Sequence, residues 1–272
     1  MTFTLPPTLM ICADDYGLTR GIDQAVLTLL TQGAIQATSC MTTAPRWHSE
    51  SAPALNEWLQ QQQIIQQTSV RAEIGLHFNL TEGFGKQARL SLSQVLKRSY
   101  LRAWDVHFLE RSLKQQLDAF EDSLQRRPDF IDGHQHVHQF PQIREVLLKV
   151  LSQRYPDKKL WLRHTLPPRP TFQLGLKPWL LAALGGYTFR RQLKQQQWPT
   201  HASFLGVYNF TGDYAAHFQQ WLALAQPHSL IMCHPSSQAN PSDGIGAQRV
   251  VEYEFLRRLN QDSCSVAHST QS

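Results

Sequence analysis

Short apolar runs alternate with longer amphipathic stretches along almost the whole chain. Thr8–Ala13 (TLMICA) is apolar without a break and predicts a buried strand, while Ile22–Leu30 carries apolar residues at helical spacing and stops at Gly33. The pairing recurs, with strands predicted at Ile35–Met41, Val70–Leu76, Phe130–Asp132, Leu160–Arg163, Phe204–Tyr208 and Ser229–Cys233. Helices are predicted over Ser51–Gln62, Ser91–Ala103, Asp105–Arg126, Pro141–Arg154, Tyr214–Leu224 and Ala247–Leu259. In the longest, Phe108, Leu109, Leu113, Leu117, Phe120 and Leu124 form one apolar stripe. Such alternation builds an α/β fold around a mainly parallel sheet.

Two stretches fall outside the rhythm. Gly83–Leu90 reads as a loop, and Leu176–Gln197 reads as helix broken at Gly185-Gly186, inside a proline-rich insertion over residues 166–200 that suits a cap over a site. The Gln runs Gln60–Gln63 and Gln195–Gln197 read as exposed surface, and residues 262–272 as a flexible tail. With no repeat and no linker, residues 1–272 read as a single domain.

Composition narrows the class. At 272 residues and 42% hydrophobic, the chain can bury a full core, so disorder is not the reading. The net charge of +5 comes from basic residues scattered singly or in pairs, such as Arg126-Arg127 and Arg190-Arg191, which describes a solvated surface and not a nucleic-acid groove. Cys12, Cys40, Cys233 and Cys264 form no CxxC pair, and three lie in apolar or small-residue runs, as reduced thiols of a cytoplasmic protein would. The opening MTFTLPPTLMICADD lacks a basic segment and a cleavage site, and no apolar run approaches the ~18 residues of a membrane span.

The candidate chemistry sits where the strands end. The segment DGHQHVHQFP would, if extended, place Asp132, His134, His136 and His138 on one face, and imidazoles beside a carboxylate suit Zn, Mn, Ni or Co. The other predicted strands end in Asp14-Asp15-Tyr16-Gly17, His77-Phe78-Asn79, Arg163-His164 and His234-Pro235. In a parallel sheet all carboxyl ends point the same way, so these groups would gather on one rim, where such folds keep their chemistry. Each has an ordinary explanation. Asp14-Asp15 could cap the next helix, though Thr19 is better placed; His77 and His234 could bond backbone; Arg163 could be an ion-pair partner; Tyr16, Phe78, Phe140 and Trp161 could be core packing. Five ionisable strand ends together are hard to obtain from caps and ion pairs. On spacing alone, His134 and His136 are equally good ligand candidates.

ADDYGLTRGIDQAV (Ala13–Val26), IGLHFNLTEG (Ile74–Gly83), DGHQHVHQFP (Asp132–Pro141) and MCHP (Met232–Pro235) resemble, in order and spacing, the signature blocks of the YdjC/ChbG-like carbohydrate deacetylases. That family includes chitooligosaccharide deacetylases and HpnK-type proteins, and the likeness runs from about Leu9 to Leu259. The resemblance implies a distorted TIM-like (β/α) barrel, a cytoplasmic protein, a possible homodimer and a metal-dependent hydrolase that removes the acetyl group from an N-acetylated sugar or oligosaccharide. It implies one divalent ion (Mg, Zn, Mn, Co or Ni) on Asp15, His77 and His134, with Asp14 as general base and His234 as acid or charge stabiliser. Tyr16, Phe78, Asn79, His136, His138 and Arg163 would then serve substrate binding, and the backbone N–H of Tyr16 or Gly17 would face the oxyanion. One departure is visible: family members often carry an acid soon after the arginine matching Arg163, where this chain has His164 and Thr165. Two competing readings remain, an amidohydrolase or phosphoesterase barrel and a sugar-binding barrel without catalysis. The first usually opens with HxH on its first strand, where this chain has Asp-Asp.

Overall fold

A computed structural model describes residues 8–65, 71–84, 89–168 and 174–269. Seven strands form one sheet in which every pairing is parallel: β1 (Met10–Tyr16), β2 (Ala37–Cys40), β3 (Glu73–Phe78), β4 (Phe130–Gly133), β5 (Trp161–Leu162), β6 (Phe204–Leu205) and β7 (Leu230–Cys233). Their order is β5-β4-β3-β2-β1-β7-β6. The sheet curls toward closure. Its two edges are bridged by the Phe204 N–H, which donates to the Leu166 carbonyl just past β5 at 2.7 Å. The result is the expected distorted TIM-like α/β barrel, left open between β5 and β6.

Helices cover the outside: α1 (Arg20–Thr31), α2 (Ala52–Ile65), α3 (Leu92–Tyr100), α4 (Val106–Leu124), α5 (Ile143–Arg154), α6 (Lys177–Leu181), α7 (Tyr187–Gln195), α8 (Tyr214–Leu224) and α9 (Gly246–Ser269). Thr19 caps α1 through its side chain, leaving Asp14 and Asp15 free of that duty. Ser91 and Asp105 cap α3 and α4. Phe108 leaves the predicted stripe of α4: it is 44% exposed, stacked on Trp104 rather than packed in the core. The predicted break at Gly185-Gly186 falls where a wide helical turn, Ala182–Gly186, joins α6 to α7. This insertion is seated on the segment after β4, with Gln139 Nε2 donating to the Leu181 carbonyl at 3.3 Å. Val70, part of the loop Gly83–Leu90, and residues 169–173 of the cap insertion lie outside the described residues.

The period of two along each strand sorts the core into layers. Ile11, Ala13, Ile74, Leu76 and Ile131 pack outward in the large core shared with the helices, while Cys12, Ala37 and Phe130 pack with Phe204, Leu230 and Met232 inside the barrel. Gly75 is required here, since a Cβ would stand 2.5 Å from the Phe130 ring. Two residues further along the same strands the inward positions are Asp14, Ser39, His77 and Asp132. Directly above an apolar plug lies a buried polar layer.

Candidate active site

Alternation alone would turn Asp15 away from that layer, because Asp14 already faces it. A bulge reverses this: Ala13 pairs with Thr38 and Tyr16 with Cys40, so β1 carries one residue more than β2. Asp15 absorbs it in a left-handed conformation at φ 70°, which aspartate tolerates better than most residues. Both carboxylates thereby reach the rim, each about 1% exposed.

Asp14 joins an inner cluster. Arg163 Nη1 and Nη2 donate to its two oxygens, each at 2.7 Å, and Nη2 also stands 2.7 Å from Asp132 Oδ2 and 3.0 Å from Cys12 Sγ. Burial would raise the Asp14 carboxyl, but the guanidinium, His77 and the bidentate bond hold it well below the usual carboxylate range. Cys12, Asp14 and Asp132 have the donor types and spacing of a metal site, yet the guanidinium occupies the space between them.

Asp15 joins an outer cluster. Its Oδ1 lies 3.2 Å from His77 Nε2 and 2.9 Å from His134 Nδ1, and those two nitrogens are 3.3 Å apart. Donors sharing one ion at about 2.0–2.2 Å stand some 3–3.5 Å apart, so this triangle fits a divalent cation. The parallel register explains half of it. His77 is paired with Asp132, whose Oδ1 lies 2.7 Å from His77 Nδ1 and so turns Nε2 toward the triangle. His134 follows Gly133, where a Cβ would meet His138 at 2.8 Å. Its Nε2 lies 3.7 Å from Glu82 Oε1, and Glu82 is placed by Asn79, whose side-chain oxygen accepts the Glu82 N–H at 2.9 Å.

The field of the site is strongly negative. Burial alone would push the His77 imidazole down, but Asp132, Asp15 and Asp14 outweigh it and bring it up to about 10. His134 is likewise raised against burial by Asp15 and Glu82. Asp15 is held well below its ordinary value, with Arg249 and His134 overcoming the opposite push of burial. A field that draws protons onto two imidazoles also draws a divalent ion.

The chain past His134 does not continue as a strand. Gln135 and His136 are both left-handed (φ 52° and 59°) within a tight turn from His134 to Gln139, so the alternating face DGHQHVHQFP suggests does not form. His138 is fully buried, with Nε2 2.8 Å from the Arg163 carbonyl, and supports the arginine from below. His136 is half-buried, edge-on to Phe204. Tyr16, Phe78, Asn79, His138 and Arg163, expected to serve substrate binding, are all buried under the rim and engaged by protein groups. The Tyr16 hydroxyl donates to the Ser51 carbonyl, and Phe78 lies in the core. Phe140 is core too, and Trp161 stacks on Phe130. The Gly17 N–H is unavailable to an oxyanion, because it donates to Asp23 Oδ1 at 2.7 Å.

His234 follows β7, half-buried, with its ring edge-on to Phe210 at 5.3 Å and its Nδ1 without a hydrogen-bond partner among the described residues. Burial pushes its imidazole down to about 4. Its N–H donates to Glu252 Oε2 at 2.5 Å. His164 packs against His201 with ring centroids 4.1 Å apart, and both are bonded to backbone. The acids that hold Arg163 are Asp14 and Asp132.

Sequence reasoning counted Asp132 only as a carboxylate beside the histidines and assigned no role to Ser39, Glu82, Arg249 or Glu252. Asp132 and Glu82 stood inside the quoted blocks, and the His77–Asp132 register was the missing signal. Arg249 and Glu252 looked like ordinary helix charges.

Barrel and donor set together define an α/β-barrel protein with a buried Asp-His-His cluster, able to hold a metal, at the carboxyl ends of its strands. The family model "YdjC-like protein" matches residues 8–260, so the chain belongs to the YdjC-like family. A carbohydrate deacetylase of Danio rerio is 29% identical over 163 residues, 53% of this chain and 46% of that one. A chitooligosaccharide deacetylase of Yersinia pestis is 26% identical over 148 residues, 50% of this chain and 52% of that one. The chain thus spans about half the length of the curated relatives it matches. A crystal structure of an Enterococcus faecalis protein, described as a cellobiose-phosphate cleavage protein, shares the fold with a TM-score of 0.62 at 20% identity, over 93% of this chain and 92% of that one. Among the described residues no helix is long and apolar enough to cross a membrane.

Proposed function

We propose that the protein is a metal-dependent hydrolase that removes the acetyl group from an N-acetylated amino sugar or oligosaccharide, releasing acetate. The observation that carries this is the Asp15, His77 and His134 triangle beside a second, separately held carboxylate, Asp14, in a chain of the YdjC-like family.

Asp15, His77 and His134 would hold the ion, which when bound polarises the acetyl carbonyl and acidifies a water. Asp14 accepts the proton of the attacking water. Arg163 keeps both Asp14 oxygens in place and keeps the carboxylate ionised, at some cost in basicity. His234, neutral at pH 7, follows β7, the strand paired with β1, and its Nδ1 has no partner among the described residues. The proton that Asp14 takes from the water would pass through it to the departing amine, returning both groups to their starting state. Burial of Asp14, Asp15 and His77 keeps bulk water from screening these charges.

The test is acetate release from chitobiose, chitotriose, N-acetylglucosamine and a lipid-linked N-acetylglucosamine. Chelator-stripped protein is resupplied with Zn, Mn, Co, Ni or Mg, and Asp14→Asn is run beside the wild type. Metal-restored acetate from any substrate, with Asp14→Asn binding metal normally but slowed about 10²–10⁴-fold, is the expected result. Release insensitive to chelation, or Asp14→Asn turning over normally, would contradict it.

A further inference from the structure

Helix α9 carries none of the residues that the motifs single out, yet its first turns reach the centre of the site. Arg249 is 4% exposed; its Nη2 donates to Asp15 Oδ2 at 2.6 Å and its Nε to Asp243 Oδ2 at 2.6 Å. Asp243 is itself fixed, because its Oδ1 accepts the Ile245 N–H at 3.0 Å and its own N–H donates to the Asn240 carbonyl at 3.0 Å. The residue that turns the chain into α9 therefore also clamps the guanidinium. The Arg249 carbonyl accepts the Ser236 N–H at 3.1 Å, tying the same point to the segment after β7.

The consequence falls on the two oxygens of Asp15. Oδ1 faces both imidazoles, and Oδ2 is taken by Arg249. A carboxylate can grip a cation through one oxygen or both. Asp15 lies in a bulge with a left-handed backbone, so strand pairing does little to orient its side chain. The only described group on Oδ2 is this guanidinium.

We propose that Arg249 is a positioning residue that holds Asp15 as a one-oxygen donor to the divalent ion, an inference that rests on the metal-centre reading above. Arg249 acts through Asp15 and touches no reacting atom. Glu252, one helical turn on, holds the backbone at His234 in the same manner, so one face of α9 steadies both sides of the site.

Co(II) binding to metal-free full-length protein tests this, with affinity read by calorimetry and coordination by the visible bands, whose intensity falls as the coordination number rises. Wild type and His77→Ala come first. Stoichiometric binding by wild type that His77→Ala lacks is expected, and its absence overturns the metal-centre reading and this inference with it. Given that binding, Arg249→Met is expected to weaken affinity about 10–100-fold and to dim the bands as Asp15 becomes free to use both oxygens. Arg249→Lys should recover part of the affinity, since an ammonium can reach one carboxylate but cannot bridge two. Asp243→Asn, which keeps the arginine but loosens its clamp, should show a smaller loss of the same kind and carries the comparison if Arg249→Met does not fold. Folded Arg249→Met, or failing that folded Asp243→Asn, with wild-type affinity and a wild-type spectrum overturns the inference alone.

Discussion

The inner and outer clusters are built from the same materials and do opposite things. Cys12, Asp14 and Asp132 form a buried set of ligand-type donors as compact as Asp15, His77 and His134, and the two sets lie side by side on the same rim. A guanidinium fills the first, so its negative charge is already answered. In the second the guanidinium of Arg249 takes only Asp15 Oδ2 from outside the triangle, and Oδ1 and the two imidazoles still face one another, open to a cation. Donor type and spacing therefore do not define a metal site; what defines it is whether a neighbour's cation already stands among the donors.

The largest effect should come from setting the two clusters against each other. His77→Ala should abolish stoichiometric metal binding and reduce acetate release at least about 10³-fold, whereas Cys12→Ser should leave metal affinity within about twofold of wild type. Calorimetry on stripped protein reads both, and a metal affinity that falls equally in the two variants would merge what the structure separates.

Next in size is Arg163→Met, which strands Asp14 and Asp132 as buried carboxylates without their cation. Such a loss costs about 3–5 kcal/mol of stability, to be read as a shifted urea midpoint. A midpoint within experimental error of wild type would mean that the inner cluster is not charge-balanced by Arg163.

The smallest effect sharpens the comparison with a third buried carboxylate. The direct partners of Glu252 are neutral donors, the Tyr208 hydroxyl and the His234 N–H. Here burial dominates and pushes the carboxyl up to about 7, opposite to Asp14 and Asp15. An acid raised in the folded state supports folding below its ordinary value of 4.5, and that support fades as pH rises through about 7. Glu252→Gln should remove this slope, so its stability relative to wild type should climb between those pH values. Urea melts at closely spaced pH values measure it, and a flat difference would refute the assignment.

The strand and helix rhythm was legible because burial on one face or both leaves a period in the sequence. Every predicted strand is present, and α8 runs over Tyr214–Leu224, the residues its apolar pattern marks. Boundaries drifted where polar residues continue a strand: β1 runs on through Asp14-Asp15-Tyr16, two acids that apolar patterning excludes. The histidine cluster misled in a specific way. Its alternation invites a strand face, but Gln135 and His136 turn left-handed and send His138 under Arg163.

What the sequence determined by itself was an α/β fold on a parallel sheet and the identity of the strand-end groups, because hydrophobic periodicity and chain order are local properties; the barrel was implied only by the family resemblance. Tertiary structure alone decided which of those groups meet. The bulge that turns Asp15 onto the rim, the register that sets Asp132 behind His77, and the reach of Arg163 and Arg249 across the barrel all depend on contacts between residues far apart in the chain. Charge balance in a buried site is a sum over such contacts, and no window along the sequence contains it.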